Sequence, residues 1–483
     1  MNYLLNHRTT LIQFALAILL LAACGPRAAS TKPGNSQTPG ESTRTPVVID
    51  SDMGSNGVMA ILYLLQRPEF SVEAITISGT GETHCGPGIA HARGMIAMLE
   101  AGDIPVACGR ETPLTGTHQF PPTIRAAADS SLGITWPTNI PDALNNQLTA
   151  VDLLQKTIES AARPVIVVAD GPLTNLAGAF QADPKLADNI QMVYIMGGAF
   201  DVPGNIFGVP LTAPNKTAEF NMFIDPHAAN IVLNSSAPIT IVPLDATNLV
   251  PLDKTFYKLL SNHQSTVASK AVYAMLTESE VYNQGLYFWD PLTYAIASDE
   301  SLTSYTTKVI IVVEEEGPEI GRTKISQAGK EVRVAMTVEA DRFIETYLST
   351  LNGGQKIAID WAAARATPIV VMTVTISGGK CVLDGPRQVP AGEFGIKLID
   401  KDLEGPAALA YVTIDEGKTF SDLDAYPSLD PPPWLQVLGL IETDPAKETL
   451  LTAEVKDEPI YLICFDSPPQ RKIGVIGPIE LIK

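Results

Sequence analysis

From Pro46 to about Ala364 the chain alternates between short apolar runs of strand length and longer stretches with helical spacing. The runs at residues 47–49, 74–77, 165–169, 192–196, 239–243 and 309–313 are almost continuously apolar, as expected of parallel strands covered on both faces. Helices are expected between them, at 58–66, 92–100, 151–160 and 228–234, with Pro, Gly or Asp at most junctions. This pattern predicts an α/β fold with a mostly parallel central sheet, whose ligand binds at the carboxyl ends of the strands. After Thr367 the texture changes to β-type runs at 368–376, 395–399, 409–414, 449–455, 459–465 and 473–482, separated by Gly- and Pro-containing turns. A small all-β sandwich is expected there.

The first residues have a different pattern. Arg8 precedes an apolar run from Leu11 to Ala23, broken only by Gln13, that ends in Leu21-Ala22-Ala23-Cys24-Gly25. The run is shorter than the roughly 20 residues that span a bilayer, and small residues before a Cys resemble a bacterial lipoprotein signal. The resemblance implies cleavage before Cys24, lipid on its sulfur, and an extracytoplasmic protein held to a membrane. Residues 25–45, rich in Pro, Gly, Ser and Thr, then read as a flexible tether. The expected domains are a signal peptide at 1–23, a tether at 24–45, an α/β domain at 46–364 and a β-sandwich at 365–483.

Charge narrows the partners. The chain has 53 acidic and 33 basic residues, a net charge of −20. Such a field repels polyanions, which excludes nucleic acid, whereas a small neutral metabolite is unaffected. Outside the cytoplasm disulfides are permitted. Cys381 and Cys464 both lie in strand-like runs and are expected to form a bridge; Cys85 and Cys108 could pair or be buried thiols. The last domain superficially resembles a cupredoxin, but no His follows His263, so a blue-copper centre lacks its ligands.

Candidate chemistry sits at the strand ends. Asp50-Ser51-Asp52-Met53-Gly54-Ser55-Asn56-Gly57 follows the first apolar run, and alternation along an extended backbone puts Asp50 and Asp52 on one face. Two such carboxylates suit a hard cation such as Ca²⁺ or general-base work on water. A capping turn, with Ser55 or Asn56 as N-cap, is the plain alternative. Further turns carry Asp170-Gly171-Pro172-Leu173-Thr174-Asn175, Met196-Gly197-Gly198, Glu219-Phe220-Asn221 and Trp289-Asp290-Pro291.

In this order the five motifs resemble the inosine-uridine-preferring nucleoside hydrolase family, over roughly residues 46–360. The resemblance implies cleavage of the N-glycosidic bond of ribonucleosides to base and ribose, with Ca²⁺ in the pocket and, as in many members, homo-oligomers. It implies Asp52 as the base activating a calcium-bound water, Asp52 and Asp290 as metal ligands, and the Asp170 carbonyl as a further one. Asn56, Glu219 and Asn221, with Asn205 or Asn215, would hold ribose, and Trp289 with Tyr287 would stack on the base. The sequence departs from the family where two aspartates are expected: Asn56 and Gly57 stand there. The Asp170 side chain is a candidate to make up the lost ligand. Trp289 stands where many members have a His as leaving-group acid, and Glu82, His84 or His118 are candidates to replace it. These departures keep a second reading open, a catalytically impaired nucleoside- or sugar-binding lipoprotein.

Overall fold

The computed structural model describes residues 44–130, 133–137, 148–209, 211, 214–279, 282, 285–366, 370–390, 392–401, 407–415, 417–426, 432–443, 449–455, 458–466 and 471–482. Cys24, the apolar leader and the tether up to residue 43 lie outside them, as do Thr367 and Pro368 at the change of texture. Among the described residues no helix is long and apolar enough to cross a membrane.

Nine strands form the first sheet: β1 (Thr45–Ser51), β2 (Phe70–Ile77), β3 (Val106–Cys108), β4 (Val165–Ala169), β5 (Ile190–Met196), β6 (Ile239–Val242), β7 (Thr303–Val312), β8 (Thr323–Ile325) and β9 (Lys330–Val338). Their order is β3-β2-β1-β4-β5-β6-β9-β7-β8. All pairings from β3 to β9 are parallel, whereas β7 runs antiparallel to both β9 and β8. The expectation of a buried parallel strand at 309–313 is therefore corrected. Only Ile310 and Val312 of β7 are buried, because the strand lies near the edge of the sheet.

Period-2 alternation sorts the sheet's side chains into two cores. Val47 and Ile49 of β1, with Ile166 and Val168 of β4, pack on one face against helices Ser55–Leu64, Val267–Ser279, Trp289–Ser298 and Ala340–Leu351. Val48, Val165, Val167 and Ala169 pack on the other against Ala150–Ser160, Thr174–Ala182 and Pro226–Leu233. Helix Ser55–Leu64 is apolar all round because all its residues but Ser55 are buried. Its N-cap is Gly54, with no side-chain cap, so neither Ser55 nor Asn56 serves the capping role considered for them.

The strand order fixes where a ligand can go. From β1 the chain adds β2 and β3 on one side, then β4, β5 and β6 on the other. The crevice beyond the carboxyl ends of β1 and β4 is thus a topological switch point, the usual binding place in open α/β sheets. Asp50 and Ser51 close β1, Asp52 follows it, and Asp170 follows β4.

The remaining strands are β10 (Val370–Ser377), β11 (Lys380–Asp384), β12 (Gln388–Val389), β13 (Gly392–Asp400), β14 (Ala408–Ile414), β15 (Leu435–Glu442), β16 (Thr449–Val455), β17 (Ile460–Asp466) and β18 (Arg471–Leu481). They make two sheets, β11-β10-β13-β16 and β12-β18-β17-β14-β15. Both sheets contribute to one core: Val374, Ile376, Ile396 and Leu398 from the first, Leu409, Leu462 and Ile479 from the second. A disulfide between Cys381 of β11 and Cys464 of β17 links them. A second, Cys85–Cys108, ties the start of helix Cys85–Met98 to β3. The sandwich is held against helix Lys254–Ser261 by Lys254, which donates to Tyr411 Oη (3.3 Å) and the Thr452 carbonyl (3.5 Å), and by the Lys258–Glu393 ion pair.

Candidate active site

Buried carboxylates converge on the switch point. Asp50 is 1% exposed; its Oδ1 accepts from Thr76 Oγ1 (2.7 Å) and Asn175 Nδ2 (2.8 Å), while Oδ2 has no hydrogen-bond partner among the described residues. Burial pushes its pKa up to about 6. Asp52 is 4% exposed, and its two oxygens accept from the backbone N–H groups of Gly54 (3.3 Å) and Glu82 (3.2 Å). Burial raises its pKa to about 6, against those two bonds and the nearby Arg125 charge, which pull it down.

Asp170 Oδ1 accepts from Asp52 N (3.2 Å), and its Oδ2 from Tyr294 Oη (2.7 Å). Burial and the Asp52 charge hold its carboxyl well above the usual range. Asp290 opens helix Trp289–Ser298 and is buried; burial, then the charges of Asp170, Asp52, Glu82 and Glu219, raise it strongly. Tyr294, one turn after Asp290, lies on the same helix face, which is how one helix serves both groups.

Glu82 comes from the loop after β2. Burial, Asp52 and Asp170, in that order, raise its pKa to about 8, with nothing pulling it down. Arg125 holds this loop, its Nη2 donating to the carbonyls of Gly79 (3.0 Å) and Thr83 (3.1 Å), while Thr83 Oγ1 donates to the Asp52 carbonyl (2.7 Å). Sequence reading gave Arg125, Thr83 and Tyr294 no role; only the i, i+4 spacing of Asp290 and Tyr294 carried a signal for any of them.

Glycine makes the approach possible. A Cβ at Gly57 would lie 2.8 Å from Ser51 Oγ and 3.5 Å from Asp170 Oδ2. The Asp170 carboxylate therefore stands beside the space that a side chain at 57 would enter. Asn56 in the same turn is 6% exposed, and its Oδ1 has no partner among the described residues.

The expected ribose residues hold the rim of the site. Glu219 caps helix Phe220–Ile224, accepting from the N–H groups of Asn221 (2.9 Å), Met222 (3.2 Å) and Gly198 (3.2 Å); burial raises it to about 7. Asn221 Nδ2 donates to the carbonyls of Asp170 (3.0 Å) and Met196 (3.2 Å). Asn205 Oδ1 accepts from Phe220 N (3.0 Å). Asn215 is a loop clamp: its Nδ2 donates to the Ile320 carbonyl (2.6 Å), and its Oδ1 accepts from Thr217 N and Ala218 N. Trp289 packs beside Met196, Ala199 and Leu244, 6.2 Å from the Tyr287 ring, with its buried Nε1 unpartnered. His84 is exposed and paired with Asp129, and His118 stacks on Phe223 and pairs with Glu316, so both imidazoles already have acidic partners.

All the donors are oxygens, and Asp50 Oδ2 is a buried acceptor lacking a donor, so the set fits a hard divalent cation chemically. Among the described residues no group of three or more His, Cys, Asp or Glu is drawn together closely enough to hold a metal ion.

A mostly parallel sheet with buried carboxylates at its switch point defines an α/β protein with an anionic candidate site. Residues 47–345 match the pattern of the inosine-uridine preferring nucleoside hydrolases, and the chain belongs to that family. A pyrimidine-specific ribonucleoside hydrolase RihA from Escherichia fergusonii is 31% identical over 229 residues, 47% of this chain and 69% of the relative. Among solved structures, a plant nucleoside hydrolase aligns with 29% identity and a TM-score of 0.57 over 64% of this chain and 99% of its own. A purine-preferring ribonucleoside hydrolase from Gardnerella vaginalis aligns with 26% identity and a TM-score of 0.54, over 65% and 100%. The α/β part is thus a nucleoside-hydrolase fold, the fold of enzymes that hydrolyse N-glycosidic bonds of nucleosides.

Proposed function

We propose that the chain hydrolyses ribonucleosides to base and ribose with Asp52 as general base. The observation that carries this is the setting of Asp52: buried at the switch point, gripped by two backbone N–H groups, with a pKa of about 6. Such a carboxylate is ionised at neutral pH yet basic enough to take a proton from water as it attacks C1′. The surrounding carboxylates favour the positive charge that develops on the ribose ring. Asn56 can hydrogen-bond a ribose hydroxyl, and Trp289 with Tyr287 can stack on the base. Asp52, Asp170 and Asp290 would hold Ca²⁺, which when bound supplies a positive charge that acidifies water. The substrate is taken as ribonucleosides in general, since relatives include both pyrimidine-specific and purine-preferring enzymes.

Replacing Asp52 by Asn should reduce release of reducing sugar by roughly 10²–10⁴-fold. Activity unchanged by the substitution would remove Asp52 from the role. The second reading, a protein that binds nucleosides without cleaving them, is favoured by Gly57, which supplies no carboxylate. Calorimetric binding with no turnover on any nucleoside would select it.

The same proposal places the enzyme outside the cytoplasm, anchored through lipid on Cys24, with domains at 46–364 and 365–483 and a homo-oligomeric assembly. Palmitate labelling that survives Cys24→Ala would overturn the anchor.

A further inference from the structure

We infer that Glu82 supplies the carboxylate that Gly57 withholds, acting as a cation ligand beside Asp52, Asp170 and Asp290. The inference rests on the reading of those three as the cation's holders.

Two contacts place Glu82 beside Asp52 and over Gly54. Its backbone N–H grips Asp52 Oδ2 (3.2 Å), so the residue stands next to the proposed base. Its side chain lies over Gly54, where an added Cβ would be 2.2 Å from Oε2. Gly54 starts the helix that carries Asn56 and Gly57. The carboxylate therefore reaches the turn from which the expected side chains are missing, coming from the β2 loop instead of the helix. Among the described residues no hydrogen-bond donor or ion-pair partner is recorded for it, and the groups that act on it electrostatically are Asp52 and Asp170. Asp290 in turn feels Glu82 as a repelling charge.

Glu82 is half-buried, and a carboxylate set among three others is stabilised in its charged form by a bound cation. Two further atoms independently call for a positive or donating partner. Asp50 Oδ2 and Asn56 Oδ1 sit on residues 1% and 6% exposed and have no hydrogen-bond partner among the described residues. Arg125, the basic group acting on Asp52, spends its Nη2 on the carbonyls of Gly79 and Thr83, so it holds the loop and acts on Asp52 through its charge alone.

The test is calcium titration by calorimetry on the full chain, comparing native protein with Glu82→Gln, Gly54→Ala and a surface control, Glu159→Gln. Glu82→Gln keeps the size and removes the charge. Gly54→Ala displaces the end of the Glu82 side chain while leaving its charge. The inference expects both to weaken calcium binding by roughly tenfold or more, with the control unchanged, since affinity follows the number of charged ligands. Native-like affinity in Glu82→Gln, with native protein binding calcium, would overturn the role of Glu82 and leave Asp52, Asp170 and Asp290 standing. Native protein that binds no calcium would overturn that parent reading, and this inference with it. Circular dichroism of each variant separates lost ligation from lost fold.

Discussion

Glycines at 81 and 171 let two loops close on Asp52: a Cβ at 81 would lie 2.1 Å from Asp52 Cβ, and one at 171 would lie 2.7 Å from it. Contacts that short force a shift, and the backbone of residue 81 is pinned by its N–H bond to the Ser78 carbonyl. Gly81→Ala is therefore expected to displace Asp52 and cut turnover by about 10²-fold, as small misplacements of a reacting group do. Steady-state kinetics checks this, and unchanged kcat would mean that the base is elsewhere. Tyr294→Phe removes the phenol donor to Asp170 Oδ2, leaving a buried acceptor short of one bond. A loss of about 1–3 kcal/mol in unfolding free energy is expected from denaturant titration. Asp50 and Asp52 were legible because alternation along a strand end needs no tertiary knowledge. Glu82 was singled out as a candidate acid, but its place beside Asp52 and the whole role of Arg125 were not legible, because only folding brings the β2 loop and helix Pro122–Ala128 to Asp52.

Strands and helices were easiest to read where the apolar run was long and covered on both sides. β1, β4, β5 and β6 followed from their pattern to within a few residues, as did helices Ser55–Leu64, Ala150–Ser160 and Pro226–Leu233. Helix Cys85–Met98, by contrast, starts well before the expected 92, and helices Pro122–Ala128 and Phe220–Ile224 were not expected. β3 was missed: three residues give no period. β9 was missed because only its inner side chains are apolar, Val332 and Val334 alternating with Glu331 and Arg333. The sandwich lost β11, β12 and β15 for similar reasons, each being short or half exposed. The Cys85–Cys108 bridge, open from sequence alone, closes a segment of 23 residues between helix Cys85–Met98 and β3. In the chain-entropy picture such a closure contributes roughly 3 kcal/mol. The double variant Cys85→Ser/Cys108→Ser is expected to lose about that much, measured by denaturant unfolding; equal stability would show that the unfolded chain gains nothing from losing the tie.

For the molecule as a whole, the site is a concentration of acids with raised pKa values, and this sets the pH dependence of its stability. Asp50 and Asp52 rise from 3.8 to about 6, Glu219 from 4.5 to about 7 and Glu82 from 4.5 to about 8. Each folded value lies above the unfolded one, so the folded state binds protons more tightly. The corresponding stability is present below about pH 4 and is lost as pH climbs towards 8. Cation-free protein should melt at a lower temperature at pH 8 than at pH 5. Saturating calcium should raise the melting temperature more at pH 8, where the carboxylates are ionised, than at pH 5. Scanning calorimetry decides, and an equal calcium effect at both pH values would place the ion away from these groups. The central claim, that this anionic switch-point site cleaves nucleosides through Asp52, is tested most directly by a reducing-sugar assay. Native chain and Asp52→Asn are compared on a panel of ribonucleosides in calcium. The account predicts ribose release by the native chain and a fall of at least about 10²-fold in the variant; equal release by both, or none by the native chain on any nucleoside, would contradict it.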